Sequence, residues 1–294
     1  MGIAISWQLR LIIGMPSSRH PDSSTLYEYP AHLREQVAAA PRAPGVYFFY
    51  GDTDDWPLYI GKSVDIRARL LSHLRTPEEA RLLRQARRIE YRQTAGEIGA
   101  LLLESRLIKE LQPLTNKRLR RKKRLCSIRF HNGSIEYVDT TTITDGPELY
   151  GLFKSRRAAT DALLALADDN RLCHTLLGIE RPTGRPCFRA QIRKCAGACD
   201  GSESLDTHTN RLLEALTQWA IQRWPFSGAI ALQESNGLLQ EFHVVNQWHY
   251  LGTYSSEAEA RQAPALPLQS FDADSYKILV RPLLSGGASI IELS

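Results

Sequence analysis

The 294-residue sequence predicts an α+β chain built from three units. Three observations predict it. Strand-like runs alternate with helix-period stretches over the first 120 or so residues, beginning with "GVYFFY" and "LYIG". An almost pure cationic run, "NKRLRRKKR" at Asn116–Arg124, then interrupts the pattern. The tail from Pro225 returns to short strand and turn signals in "GAIALQE", "EFHVV" and "SYKILVRPL". The chain is too long for one ordinary core and should divide into domains.

The elements follow in order. Residues 1–25 read as a poorly ordered leader with the polar end "PSSRHPDSS". A short helix is expected from Ala31 to Ala39, stopped by Pro41. "GVYFFY" is a strand, "GDTDDWP" a turn and "LYIG" a second strand. Ser63 is the expected N-cap of a helix reaching Leu74, with Asp65 in its favoured first turn. Thr76 and Pro77 open another helix to about Arg87, "RIEYRQT" is a third strand, and "GEIGALLLESRLIKELQ" is a long helix ended by Pro113. The middle region carries strands in "SIRFHNGSIEYV", a helix near Arg156–Asp168 and a cysteine-bearing segment from Cys173 to Cys199. An amphipathic helix is expected over 203–224, carrying Leu212, Leu216, Trp219 and Trp224. The expected units are 26–120, 121–224 and a small α+β tail at 225–294.

Charge narrows the function. The chain carries +5 overall, but Lys62–Arg124 holds 18 Lys and Arg against 7 Asp and Glu. A basic unit on a mildly acidic remainder reads as a polyanion-binding face. No apolar run approaches the roughly 18 residues of a membrane span, and no signal-peptide cleavage site is evident. A cytoplasmic protein is expected, with its five cysteines reduced.

Two patterns bear chemistry in the first unit. On a helical wheel of the long helix, Gly99, Ser105, Arg106, Lys109 and Glu110 share a polar arc. Ala100, Leu101, Leu103, Leu107, Ile108 and Leu111 share an apolar one. Glu104 falls in the middle of the apolar arc, where a bare carboxylate would cost several kcal/mol. It needs a salt bridge, an edge position open to water, or a hard cation such as Mg²⁺. Ile98 and Leu102 fit the wheel poorly. The second pattern is Arg69 and His73, spaced i,i+4 on the preceding helix. Lys62, seven residues before Arg69, is read as pointing the same way. A cationic stripe beside strand tyrosines suits a phosphate with developing charge.

The cysteines form a third pattern. Cys173, Cys187, Cys195 and Cys199 follow the spacing C-x13-C-x7-C-x3-C, among Arg185, Arg189, Arg193 and Lys194. Four thiolates from one segment can enclose Zn²⁺ or an iron–sulfur cluster. Cys126 stands apart and is expected in a core. The cationic run supplies Lys117, Arg118, Arg120, Arg121, Lys122, Lys123 and Arg124 as candidate phosphate contacts, giving affinity without base specificity.

"GVY" at 45–47, "YIG" at 59–61, Arg69, Glu104 and Asn116, in this order, resemble the GIY-YIG nuclease domain of UvrC-type excinucleases. The resemblance runs over about residues 25–225, and the length and tail are similar to a short member of that family. It implies a small antiparallel sheet flanked by helices and a metal-dependent DNA endonuclease of nucleotide excision repair. It further implies Tyr59 as general base, Tyr47 as an orienting group and Lys62 as a depressor of the Tyr59 pKa. Arg69 would neutralise charge at phosphorus, Glu104 would hold one Mg²⁺ or Mn²⁺, and Asn116 would fix the loop. His73 departs from the tyrosine common in UvrC proteins; its role as proton relay or phosphate contact is open. "RPC" and "KCAGAC" are similar to a UvrC segment that carries a [4Fe–4S] cluster, with Zn²⁺ the alternative. The implied partners are damaged duplex DNA and a UvrB-type damage-recognition protein, met by a monomer. The tail is expected to be too short for a second nuclease, so one 3′ incision is expected. The competing reading is a non-catalytic DNA-binding or scaffold protein that keeps the fold.

Overall fold

The computed structural model describes residues 30–52, 56–116, 125–140, 149–263 and 271–293. The expected leader and the cationic residues 117–124 lie outside the described residues.

The first unit is built on its central strand. α1 (Arg34–Ala39) leads into β1 (Gly45–Tyr50), followed by β2 (Pro57–Ser63), α2 (Ile66–Arg75), α3 (Ala80–Gln85), β3 (Arg88–Gln93) and α4 (Glu97–Leu111). The three strands form an antiparallel sheet in the order β2-β1-β3. β1 is buried on both faces, which is why "GVYFFY" shows no polar alternation. Tyr47 and Phe49 face Leu33, Val37, Leu70 and Leu74 beneath α1 and α2. Val46 and Phe48 face Leu107 and Ile108 of α4.

The second unit has a sheet of β4 (Cys126–His131), β5 (Ser134–Asp139) and β6 (Leu149–Phe153) in the order β5-β4-β6. Asn132 and Gly133, both at positive φ (49° and 76°), make the tight turn between β4 and β5. α5 (Arg156–Asp169), the single turn α6 (Phe188–Gln191) and α7 (Leu205–Leu216) follow. Ser155 and Ser204 cap α5 and α7. The third unit is a four-stranded antiparallel sheet, order β10-β7-β8-β9. It comprises β7 (Ile230–Ser235), β8 (Gln240–Asn246), β9 (His249–Tyr254), α8 (Glu257–Arg261), α9 (Ala273–Leu284) and β10 (Ser289–Glu292).

α4 belongs to two cores, and this explains the imperfect wheel. Leu107 and Ile108 pack on the first sheet. Ile98 and Leu102 pack with Ile230, Leu232, Val245 and Tyr276 of the third unit. Gly99 and Ser105, placed on the polar arc by the sequence, are buried as well. The N-terminus of α4 has no cap of its own, because its N-cap is Gly96. Glu234 of β7 takes the place instead, accepting from Ile98 N at 3.0 Å and Gly99 N at 2.7 Å. Glu241 of β8 accepts from Ala95 N at 2.8 Å. A Cβ at position 96 would lie 2.1 Å from Glu234 Oε1, so glycine is what admits the carboxylate. At the other end Lys109 Nζ reaches Asp272 at 3.0 Å and Asp274 at 3.2 Å, at the start of α9.

Glu234→Ala should therefore destabilise the whole chain. It orphans two helix N–H donors and leaves His243, fully buried, without its partner at 3.0 Å. A loss of roughly 2 to 4 kcal/mol is expected, read as a drop in urea midpoint. Burial works to raise the Glu234 pKa, but His243 and the α4 amides hold it below the usual carboxylate range. A depressed pKa contributes stability present above the unfolded value. Wild-type stability should therefore fall as pH drops below about 4, and Glu234→Gln should lose that dependence.

Four sequence expectations are corrected. Asp65, not Ser63, caps α2: its Oδ1 accepts from Ala68 N at 2.8 Å, while Ser63 Oγ accepts from Asp65 N. Lys62 lies on β2, so the seven-residue helical spacing to Arg69 does not apply. The 203–224 helix ends at Leu216; Trp219 stays with the second core, but Trp224 crosses to the third and packs on Trp248. "SYKILVRPL" is helical within α9, because Asp272 caps it and Tyr276, Leu279 and Leu283 recur at helical period.

Candidate active site

The sheet brings the two tyrosines together through a glycine. Tyr47 pairs with Gly61 across β1 and β2. A Cβ at Gly61 would stand 2.4 Å from Tyr47 Oη and 2.8 Å from Tyr59 Cε1, so only a bare α-carbon lets both rings occupy this face. The rings lie 6.1 Å apart, and each packs edgewise on the His73 imidazole at 5.3 and 5.7 Å.

A chain of polar groups runs inward from Tyr47, beside which the Tyr59 ring packs, and the Arg69 charge acts on the Tyr47 hydroxyl. Tyr47 is 1% exposed, and its hydroxyl meets His73 Nε2 at 2.6 Å. His73 Nδ1 meets the Glu79 carboxylate. A carboxylate can only accept, so Nδ1 carries the proton and Nε2 is free to accept from Tyr47. Burial, with Glu79 opposing and Arg69 assisting, lowers the His73 pKa, which favours this neutral tautomer. Burial foremost, and the Tyr59 charge next, push the Tyr47 pKa far above the usual tyrosine range, against Arg69. Burial likewise raises Tyr59. Sequence reasoning missed Glu79; it sits in the turn before α3, where its six-residue distance from His73 gives no helical signal.

Glu104 projects from α4 toward β2. Its Oε1 accepts from Lys62 N at 3.1 Å, and among the described residues its Oε2 accepts no hydrogen bond. Burial raises its pKa, while the Lys62 amide and ammonium lower it. A half-buried carboxylate with one oxygen anchored and the other unpartnered fits a hard cation. The Lys62 ammonium itself turns to Glu97, at 2.6 Å. This pairing was also missed by the sequence reading, because it joins β2 to the first turn of α4. Asn116 clamps β2 next to Tyr59: Oδ1 accepts from Ile60 N at 2.9 Å and Nδ2 donates to Ile60 O at 2.7 Å. Arg69 stands at the solvent edge of α2. Tyr47, Tyr59 and His73 thus share one face of the first sheet, with Arg69 at its solvent rim, while Glu104 and Asn116 meet the backbone of β2, the edge strand beside it.

The cysteines form a separate centre in the second unit. The Sγ atoms of Cys173, Cys187, Cys195 and Cys199 all lie within 4.8 Å of one another. Backbone amides point at them: Ala190 N to Cys187 Sγ at 3.3 Å and Gly197 N to Cys195 Sγ at 3.3 Å. Burial pushes the Cys187 thiol up to about 12 and raises Cys173 too. Cys199 is held below the usual thiol value by hydrogen bonds from Cys187 and Cys173, against burial. Four thiols in so dry a pocket ionise together only around a cation, and the donor set fits one. Cys126 lies apart on β4, half-buried against the second core.

Comparison with known proteins matches this architecture part by part. The family profile of the UvrC-like GIY-YIG domain matches residues 43–117, that of the UvrC/Cho excinuclease middle domain 108–218, and that of the excinuclease Cho C-terminal domain 229–294. Excinuclease Cho of Salmonella typhi is 51% identical over 92% of this chain and 94% of its own length. Excinuclease Cho of Escherichia coli K12 is 49% identical over 92% of this chain and 93% of its own. UvrABC system protein C of Methanothermobacter thermautotrophicus is 36% identical over 57% of this chain and 29% of its own. Among solved structures, the magnesium-bound GIY-YIG N-terminal endonuclease domain of UvrC from Thermotoga maritima is 34% identical, with a TM-score of 0.27. It covers 29% of this chain and 97% of its own. Among the described residues no helix is long and apolar enough to cross a membrane. With its three units matched in order and half its residues identical to such relatives over nearly its whole length, the chain belongs to the UvrC/Cho family of GIY-YIG excinucleases.

Proposed function

We propose that this chain is a metal-dependent, cytoplasmic DNA endonuclease that makes a single 3′ incision at lesions presented by a UvrB-type protein. The observation that carries the reading is the buried line of hydrogen bonds from Tyr47 through His73 to Glu79, with the Tyr59 ring packed beside its outer end. Tyr59, at the open end, takes a proton from the attacking water. Its own proton passes to Tyr47, whose hydroxyl proton moves to His73 Nε2. The resulting imidazolium is held against the Glu79 carboxylate. Because His73 is buried and bonded at both nitrogens, it relays protons and does not touch phosphate. Arg69, at the rim, neutralises charge on the phosphate. Glu104 would hold Mg²⁺ or Mn²⁺ through Oε2. When bound, the ion would lower the Tyr59 pKa and stabilise the leaving oxygen. Glu97 keeps the Lys62 ammonium at the site's edge, so Lys62 acts on Glu104 more than on Tyr59.

The cysteine centre is proposed to hold a [4Fe–4S] cluster, the group the UvrC-like segment implies. One observation favours zinc as a second reading. A tetrahedron with edges of 4.8 Å at most has its centre no more than about 2.9 Å from each corner, near the zinc–thiolate length of about 2.3 Å. The larger iron–sulfur cube requires the sulfurs to spread. The seven cations of 117–124 are proposed to grip the DNA backbone, and the protein is proposed to act as a monomer.

The test is an end-labelled duplex carrying one lesion and preloaded with UvrB, incubated with Mg²⁺. One nick 3′ to the lesion, leaving 5′-phosphate and 3′-hydroxyl ends, is expected. The described residues of the third unit form only an antiparallel sheet with two helices, which supports a single active site. A lesion-dependent 5′ cut by this protein alone would overturn that reading, and no cut at all would favour the scaffold alternative.

A further inference from the structure

The turn around α6 is an exposed apolar knob in a field of positive charge. Between Arg181 and Lys194 the chain carries five cations and no carboxylate. Arg189 is half-buried and paired with Asp168. Arg181, Arg185, Arg193 and Lys194 are exposed, and among the described residues none of them joins an ion pair. In their midst Phe188 is 67% exposed and Ile192 is 45% exposed. Ile192 N donates to Phe188 O at 3.2 Å, so the two side chains sit one turn apart on the same side. Both ends of the turn are pinned by buried sulfurs, Cys187 and Cys195, whose Sγ atoms belong to the four-sulfur group. The ring is therefore held out rigidly.

Folding alone does not call for an outward aromatic ring on so basic a surface. One ring and one isoleucine are too little apolar area to anchor in a lipid surface. The combination suits a polyanion that also offers a flat apolar face, which is a nucleic acid with an unstacked base. In an intact duplex the base faces are covered by their neighbours; at a distorted site one is open. We propose that this turn is a second DNA contact, in which Phe188 stacks on a base unstacked from a distorted duplex while Arg181, Arg185, Arg193 and Lys194 bind the flanking phosphates. The proposal rests on the endonuclease reading for its substrate, but it concerns binding alone.

Binding of the full-length protein is measured in EDTA by fluorescence anisotropy. The probes are two duplexes of equal length, one fully paired and one with a central unpaired stretch. Phe188→Ala should lose about tenfold in affinity for the unpaired probe and little for the paired one, with Phe188→Trp restoring it. Arg193→Gln with Lys194→Gln should weaken both probes and lower the salt slope by about 2. Metal content and melting temperature of each variant report on the neighbouring cysteines. Wild-type affinity of Phe188→Ala for the unpaired probe overturns the proposal. So does unchanged DNA affinity combined with lost binding of a damage-recognition protein, which would assign the surface to a protein partner. A wild type that binds through Phe188 yet never nicks with Mg²⁺ would instead sink the nuclease reading and leave this one standing.

Discussion

Tyr59→Phe is expected to slow single-turnover nicking by at least about 10²-fold while leaving DNA affinity within a few-fold. The change removes one oxygen and keeps the ring that packs on Tyr47 and His73. Fold and binding should survive; what is lost is the outer end of the proton line. Glu104→Gln should have a comparable effect for a different reason. The amide can still accept from Lys62 N, but it loses the charge that attracts a divalent ion, so raising Mg²⁺ or Mn²⁺ should recover part of the rate. Tyr59→Phe should show no such recovery. Nicking of supercoiled plasmid across a metal titration separates the two. Unimpaired cutting by either variant would mean that the reaction is carried out elsewhere.

The second large effect concerns the sulfur pocket. Replacing Cys187 or Cys195 by Ser should reduce bound metal to background and cost the second unit several kcal/mol. Three sulfurs and a hydroxyl make a poor ligand set, and the segment from Cys173 to Cys199 has few buried apolar side chains beyond the sulfurs. Anaerobically prepared wild type should be brown and contain iron and sulfide; the variants should be colourless and melt earlier. Stoichiometric zinc with no iron in the anaerobic wild type would exclude the cluster and establish the more compact single-ion site.

Much of this was legible because strong local signals agreed. The apolar run "GVYFFY" marked a strand, and the order of the tyrosine motifs, Arg69, Glu104 and Asn116 marked the unit that carries the site. The four cysteines, spread over 27 residues, pointed to one centre before any fold was known. The rest was hidden where partners lie far apart in sequence or where short-range rules compete. Glu79 reaches His73 through a turn whose conformation has no periodic signature. Ser63 lost the capping role to Asp65 because β2 extends through Ser63 itself. Ile98 and Leu102 looked like noise on a wheel drawn for one buried face, since nothing local tells that a second core lies against the helix. Lys62 was misplaced because helical spacing was carried back across a strand.

The sharing of α4 also bears on how the protein is made. The donors at its N-terminus wait for Glu234, 136 residues downstream of Ile98. Ile98 and Leu102 wait for strands that leave the ribosome equally late. A nascent chain can therefore display the tyrosines, the arginine and Glu104 in their right order and still lack a finished helix to hold them. Truncation before β7 should leave the first turn of α4 uncapped and Ile98 and Leu102 without their partners, while Leu107 and Ile108 keep theirs on the first sheet.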